Sequence, residues 1–480
     1  MATRRDFLKL LGTATAAGMT GMALPVRADG AAGYTSQRPP LAKRKFVSQA
    51  VEQQLASVKA AIADPKLAWM FENCYPNTLD TTVELGTLDG KPDTFVITGD
   101  IDAMWLRDSS AQVVPYVPLA KHDLALQRLF RGLLRRQARC IRIDPYANAF
   151  MPDPHAPPLT WARHDLTDMK PGVGERKWEI DSLCYPIRLA HSYWQATGDR
   201  EPFDDDWRNA MHRVVQTFRE QQRKHDRGPY HFQRTSPVPT DTQMLDGYGN
   251  PTRPNGMIHS MFRPSDDACV YPLFVPANLF AVRSLRQLAQ MSRGLHQDET
   301  FAVDCEALAA EVEQAVHKDG RMHDADGRDY WAYEIDGFGN WIFMDDANVP
   351  SLAGLALIEA AGRDDPLFRR TAALAWSDRN PYFFKGSAAE GIGGPHVGQD
   401  MIWPMSIITH AMNSDDDATI RQCLHWLKTT HSGTGFMHES FHKDDPSKFT
   451  RPWFAWANAL FGQLIVDLAA RKPALIASRI

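Results

Sequence analysis

What the sequence has little of narrows its function first. Its six cysteines (Cys74, Cys140, Cys184, Cys269, Cys305, Cys423) are scattered through 480 residues with no C-x-x-C pair, which argues against a disulfide framework. No basic run or stripe is present and the net charge is −5, so nothing points to nucleic acid. Beyond the first residues no stretch is long and apolar enough to span a bilayer. There is no G-x-S-x-G elbow for a serine hydrolase. The glycines at Gly391, Gly393 and Gly394 lack the G-K-[ST] ending of a phosphate loop, and read as tight loop backbone.

The first residues are patterned for export. Thr3-Arg4-Arg5-Asp6-Phe7-Leu8-Lys9 has the form of a twin-arginine signal. An apolar stretch follows from Leu10 to Leu24, and Val26-Arg27-Ala28 offers a small-residue cleavage site. The competing reading is an amphipathic anchor or retained signal helix. Removing residues 1–28, which carry a net +3, leaves a mature chain of −8. Residues 29–43 read as a polar linker and 44–480 as the catalytic domain. The twin-arginine translocase is then the partner during export, with no stable membrane association afterwards and a periplasmic or secreted destination. Such substrates fold in a reducing compartment, so the cysteines are expected as free buried thiols.

Apolar periodicity predicts twelve helical segments, with a β-hairpin over Thr81–Ile97 turning at Asp89-Gly90. Segments expected at Ala111–Leu119, Ile180–Thr197, Val270–Gln290, Pro350–Ala361, Trp403–Met412 and Trp453–Ala470 follow long connections. Short links join each of the first five to the next segment. Long loops at one end and short turns at the other predict an all-α fold, an (α/α)6 barrel of six helical hairpins. An open solenoid is the alternative, but these loops are too unequal for a regular repeat.

Each long loop delivers acids and aromatics just before an inner helix. The densest cluster is Thr98–Ser110, with Asp100, Asp102, Trp105, Arg107 and Asp108 in thirteen residues. Asp108 or Ser109 alone would be a helix cap, with Arg107 paired to a neighbour. An exposed Trp105 among those charges instead suits a polar ring with apolar C–H faces, a sugar above all. Later loops bring Glu179 and Asp181, then Arg263, Asp266 and Asp267, then Asp345 and Asp346, then His396 and Asp400, then Glu439. A cup of carboxylates and aromatics fits glycoside hydrolysis by an acid and a base. His438-Glu439-Ser440-Phe441-His442 also matches the H-E-x-x-H zinc pattern. Its glycine-rich approach and the Lys443-Asp444-Asp445-Pro446 that follows predict a loop, which cannot share a metal between the two imidazoles.

With these residues the chain resembles glycoside hydrolase family 125, the metal-independent exo-α-1,6-mannosidases. The resemblance lies in Thr98–Ser110, Trp178–Pro186, Ser260–Asp267, Glu390–His396 with Gln399–Pro404, and Gly433–Phe441 with Thr450–Gly462. It implies an (α/α)6 barrel and an inverting single displacement on non-reducing terminal mannose of mannan or N-glycan-derived oligosaccharides. It also implies that no metal or cofactor is needed. By that resemblance Asp181 looks like the general acid and Glu439 like the general base. Arg107, Asp108, Arg263, Asp266, Asp267 and His396 are candidate ligands for sugar hydroxyls, with Asp100, Asp102 and Trp105 as further binding candidates. Other (α/α)6 carbohydrate enzymes (glucosidase-like hydrolases or lyases), a non-catalytic glycan binder and a zinc enzyme stand as alternatives.

Overall fold

The structure, a computed structural model, describes residues 33–480. The signal expected over residues 1–28 and the start of the linker lie outside them. The chain runs through α1 (Gln49–Ala61), α2 (Pro65–Cys74), the short α3 (Asn77–Thr81), β1 (Val83–Leu88), β2 (Lys91–Val96), β3 (Met104–Trp105) and α4 (Leu106–Ala111). It continues through α5 (Leu124–Ile143), β4 (Ala149–Phe150), β5 (Val173–Glu175), α6 (Ile180–Thr197), α7 (Asp205–Gln221), α8 (Val275–Met291) and α9 (Glu299–Asp319). After these come α10 (Pro366–Ala375), α11 (Pro404–Asn413), α12 (Asp417–Thr429) and α13 (Ala455–Arg471).

The inner helices pack in sequence: α4 on α6, α6 on α8, α11 on α13, and α13 back on α4. Residues 349–360 are turns and not the expected helix. Their backbone is tied to neighbouring helices by side chains. The Tyr185 hydroxyl donates to Val349 O at 2.8 Å, Arg188 Nη2 to Leu357 O at 2.9 Å and Asn413 Nδ2 to Ala353 O at 2.8 Å. These donors replace bonds that a helix would make internally.

Helix ends divide by layer. Ser48, Asp64, Asp123, Asp204, Asp298, Asp365 and Asp416 cap α1, α2, α5, α7, α9, α10 and α12 with side-chain hydrogen bonds. All seven are outer helices. The inner helices α4, α6, α8, α11 and α13 begin at Trp105, Glu179, Phe274, Trp403 and Phe454, with no side-chain cap. Several of their first N–H groups are instead tied to neighbouring loops: Leu106 N donates to Asn148 O at 3.0 Å, Val275 N to Tyr333 O at 3.0 Å and Ile180 N to Ser260 Oγ at 3.2 Å. Asp108 and Asp181 sit inside first turns and do not cap them, contrary to the helix-cap reading of Asp108.

Other departures have local causes. Pro115 and Pro118 lack N–H groups, so the expected helix over Ala111–Leu119 tightens into a 3-10 run, Val114–His122. The amphipathic α5 buries Leu126, Leu129, Phe130, Leu133 and Leu134, but Leu124 is 80% exposed at its first turn. Part of the expected linker is docked. Tyr34 stacks on Trp69 at 5.1 Å, and Arg38 Nε donates to Asp80 Oδ2 at 2.7 Å. The hairpin pairs Leu88 with Lys91 across Asp89-Gly90, both at positive φ, the geometry of a two-residue turn. All six cysteines are free and buried. Among the described residues no helix is long and apolar enough to cross a membrane.

Candidate active site

The long loops are stitched in pairs by short ladders. Strand β3 pairs with β4, and β4 with β5, joining the first loop to the connection after α5. Leu273 and Phe274 pair with Ile335 and Glu334, and Met401 and Ile402 pair with His442 and Phe441. These ladders fix where the loops end, at the uncapped starts of the inner helices.

A small cavity opens there. Asp108, Asp266 and Glu439 are its carboxylates, Arg107 and Arg451 its cations, and Trp105, Trp403, Phe454 and Trp456 its aromatic walls. Asn348 and His396 complete its polar rim. The aromatic wall is continuous: ring centroids of Trp403 and Phe454 lie 6.1 Å apart, and those of Phe454 and Trp456 6.4 Å. Apolar faces beside charged groups match a pyranose, which offers C–H faces and hydroxyl edges to the same site.

One guanidinium organises one side of the cavity. Arg107 Nη1 lies 2.5 Å from Glu179 Oε2 and 3.3 Å from Asp181 Oδ2, while Nη2 lies 3.2 Å from Asp266 Oδ1. Its Nε lies 3.6 Å from Asp108 Oδ2. Asp266 is fixed from three sides. Its Oδ1 also accepts from Asn148 Nδ2 at 3.3 Å, and its carbonyl accepts from Lys177 Nζ at 2.7 Å. Its backbone has φ +65, a conformation that non-glycine residues hold only when their surroundings enforce it. The other side of the cavity is organised by Arg451, whose Nη1 lies 3.4 Å from Glu439 Oε1 and whose Nη2 pairs with Asp100.

The sequence-based candidates divide. Trp105, Arg107, Asp108, Asp266, His396 and Glu439 line the cavity. Trp105 is 1% exposed, not exposed as expected, because its charged neighbours pair with partners from other loops and leave the indole to the wall. Asp181 does not line the cavity. It is wholly buried behind Arg107, where burial pushes its carboxyl and that of Glu179 upward against the pull of the guanidinium. Arg263 also stands behind the site, paired to Glu334 at 2.6 Å. Asp267 faces His396 Nδ1 at 3.8 Å; burial pushes its carboxyl up, but His396 and Thr240 hold it below the usual range. Asp100 reaches the site through Arg451, and Asp102 is exposed outside it.

Residues 438–442 carry no helix. Phe441–His442 is a strand and Glu439 lies in a bend, so the two imidazoles do not share the one helical face that the H-E-x-x-H pattern needs. His438 is stacked on Phe449 at 4.1 Å and bonds the backbone at Arg451 O. Gly393 is as tight as expected: a Cβ there would lie 2.1 Å from Met401 O.

Sequence reasoning left out Asn148, Glu175 and Lys177, which come from a connection with no periodic signal. Asn148 Nδ2 joins Glu175 Oε2 at 3.0 Å to Asp266, so the connection supports the site from below. Arg451, Asn348, Trp403 and Trp456 were visible only as members of loops rich in such residues.

Comparisons with known proteins agree with this architecture. The profile of the metal-independent α-mannosidases, glycoside hydrolase family 125, matches residues 64–466. The meiotically up-regulated gene 157 protein of Schizosaccharomyces pombe is 42% identical over 459 residues, covering 92% of this chain and 89% of that protein. A metal-independent α-mannosidase of Streptococcus pneumoniae, solved in a non-productive complex with α-1,6-mannobiose, superposes with a TM-score of 0.85 at 36% identity. That match covers 89% of this chain and all of the other. A bacterial glucoamylase solved with acarbose shares the fold alone, with a TM-score of 0.53 at 11% identity over 90% of this chain and 58% of its own.

Proposed function

Because the chain belongs to glycoside hydrolase family 125, the metal-independent α-mannosidases, we propose that it is an inverting exo-α-1,6-mannosidase with Asp266 as general acid and Glu439 as general base. Its substrate is non-reducing terminal mannose of mannan or N-glycan-derived oligosaccharides. The observation that carries this reading is the cavity lining. Asp266 and Glu439 both line one space walled by Trp105, Trp403 and Trp456, whereas Asp181 lies behind Arg107. Asp108, the third carboxylate of the lining, turns an oxygen to Arg107 Nε. In this reading the barrel counts six members, with residues 349–360 as an inner position without a helix.

The chemistry is a single displacement. Oδ1 of Asp266 accepts from Arg107 and Asn148, which orients the carboxyl, and Asp266 gives its proton to the glycosidic oxygen as the C–O bond breaks. Water forms the new bond to the anomeric carbon and passes a proton to Glu439. The product is β-mannose, and Asp266 regains its proton from solvent. Positive charge developing on the sugar ring is met by Glu439 and by the aromatic faces.

The test compares Asp266→Asn with Asp181→Asn on α-1,6-mannobiose and on an aryl α-mannoside with an acidic phenol. Asp266→Asn is expected to lose the disaccharide and keep the aryl substrate, which needs no acid. Asp181→Asn is expected to keep both. The reverse pattern returns the acid role to Asp181.

The N-terminal twin-arginine pattern supports export of the folded enzyme to the periplasm or medium, and six buried free thiols are compatible with folding before export. Arg4→Lys with Arg5→Lys should retain the protein in the cytoplasm. Unchanged export of that variant would remove the proposal.

A further inference from the structure

Four carboxyl groups surround the single guanidinium of Arg107: Asp108, Glu179, Asp181 and Asp266. With all four ionised the cluster would carry −3 among side chains that are all nearly or wholly buried, which is costly. Two of the four, Glu179 and Asp181, never reach the cavity. Each also keeps a buried oxygen, Glu179 Oε1 and Asp181 Oδ1, with no hydrogen-bond partner among the described residues. Packing alone does not account for them, since apolar side chains of the same volume would stabilise the barrel more.

Their geometry suggests a use. Glu179 makes the shortest contact with Arg107, at 2.5 Å, and its same Oε2 also accepts from Ser182 Oγ at 2.8 Å. The guanidinium's charge is thus drawn toward Glu179 and Asp181 on Nη1. Asp266 is left with Nη2, at 3.2 Å.

We propose that Glu179 and Asp181 are positioning residues that compete with Asp266 for Arg107, and so keep the Asp266 carboxyl protonated for its role as general acid. This rests on the acid role given to Asp266 above. Burial pushes Glu179 and Asp181 toward their protonated forms, so the carboxyls around Arg107 share protons; replacing either by an amide removes a negative charge that otherwise appears as the pH rises, gives Asp266 a larger share of Arg107 and stabilises its anion.

Other groups bear on Asp266 and stay constant in the test. Lys177 bonds its carbonyl and is itself paired with Asp241, and Asn148 links it to Glu175. Asp346 holds the neighbouring Ser265 at 2.8 Å, Asp267 faces His396, Arg263 is neutralised by Glu334, and Glu439 is paired with Arg451.

The experiment is the pH profile of kcat/KM on α-1,6-mannobiose for wild type, Glu179→Gln and Asp181→Asn. Folding is checked by circular dichroism. The alkaline limb reports loss of the acid's proton. It is expected to move down by about one pH unit in Glu179→Gln, a roughly tenfold loss on the alkaline side. Activity at the acidic end and KM should stay near wild type. Asp181→Asn, whose contact is longer, should move the limb in the same direction by less, and it carries the test if Glu179→Gln does not fold. The aryl mannoside should show no such shift, because it bypasses the acid. A limb that stays in place or moves up overturns the proposal, as does a uniform loss at every pH. If Asp266→Asn keeps the disaccharide activity, the acid assignment itself falls; an unmoved limb with Asp266→Asn inactive overturns this proposal alone.

Discussion

Arg451 Nη1 lies 3.4 Å from Glu439 Oε1, and the other terminal nitrogen of that guanidinium pairs with Asp100 and faces Thr98 O at 3.4 Å. The last loop of the chain is thereby tied to the first, and Glu439 is held by a residue that bridges the two. Lysine can reach one partner but cannot present the planar fork to both. Arg451→Lys should therefore fold and lower kcat by roughly 10- to 100-fold with a smaller change in KM. Steady-state kinetics on α-1,6-mannobiose check this.

Asn148 joins Glu175 to Asp266 by one amide nitrogen, and its Oδ1 accepts from the Lys177 backbone at 3.1 Å. Asn148→Ala leaves Glu175 and the Lys177 N–H short of a partner in a buried place. The cost is about 1–3 kcal/mol, or about tenfold to hundredfold in kcat/KM if it falls on the orientation of Asp266. Comparable kinetics for the variant would detach the connection after α5 from catalysis.

Asp345 anchors the turn segment over residues 349–360, accepting from Leu352 N at 3.0 Å and Ala353 N at 2.9 Å. Burial pushes its carboxyl up to about 7. A raised folded-state value means the folded chain holds this proton more tightly than the unfolded chain. The resulting stability is full below the ordinary aspartate value of 3.8 and is lost as pH rises through about 7. Asp345→Asn should lower the melting temperature at pH 4.5, where it only loses a hydrogen bond. The deficit should shrink or reverse at pH 8, where the wild type buries a charge. A deficit that grows with pH contradicts this assignment.

His442 lies on extended chain, and its Nδ1 accepts from Asp444 N at 3.2 Å. Under the single-displacement reading it has no part in the reaction. His442→Ala should hydrolyse α-1,6-mannobiose within about twofold of wild type, a difference of less than ~0.5 kcal/mol, and a chelator should leave both enzymes unchanged. Loss of activity with chelator, restored by zinc, would revive the zinc reading.

What the sequence made legible was local. The Asp89-Gly90 turn, the outer helices with their aspartate caps and the loops rich in acids and aromatics all follow from short-range rules, and the structure carries them. The unread part depends on contacts between distant segments. Trp105 and Asp181 sit in motifs that look alike on paper, yet one walls the cavity and the other lies behind Arg107. Trp105 is set by the pairing of β3 with β4, and Asp181 by the first turn of α6. Residues 349–360 have helical composition but complete their backbone bonds through Tyr185, Arg188 and Asn413. Asn148, Glu175 and Lys177 had no periodic signal because they contribute single hydrogen bonds from an irregular connection.

The central claim is an inverting cleavage of α-1,6-linked mannose with Glu439 as base, and anomer-resolved NMR during the first turnovers of α-1,6-mannobiose tests it most directly. The account predicts β-mannose first, with α-mannose growing only by mutarotation, and no release by Glu439→Gln. Initial α-mannose, or undiminished release by Glu439→Gln, would contradict it.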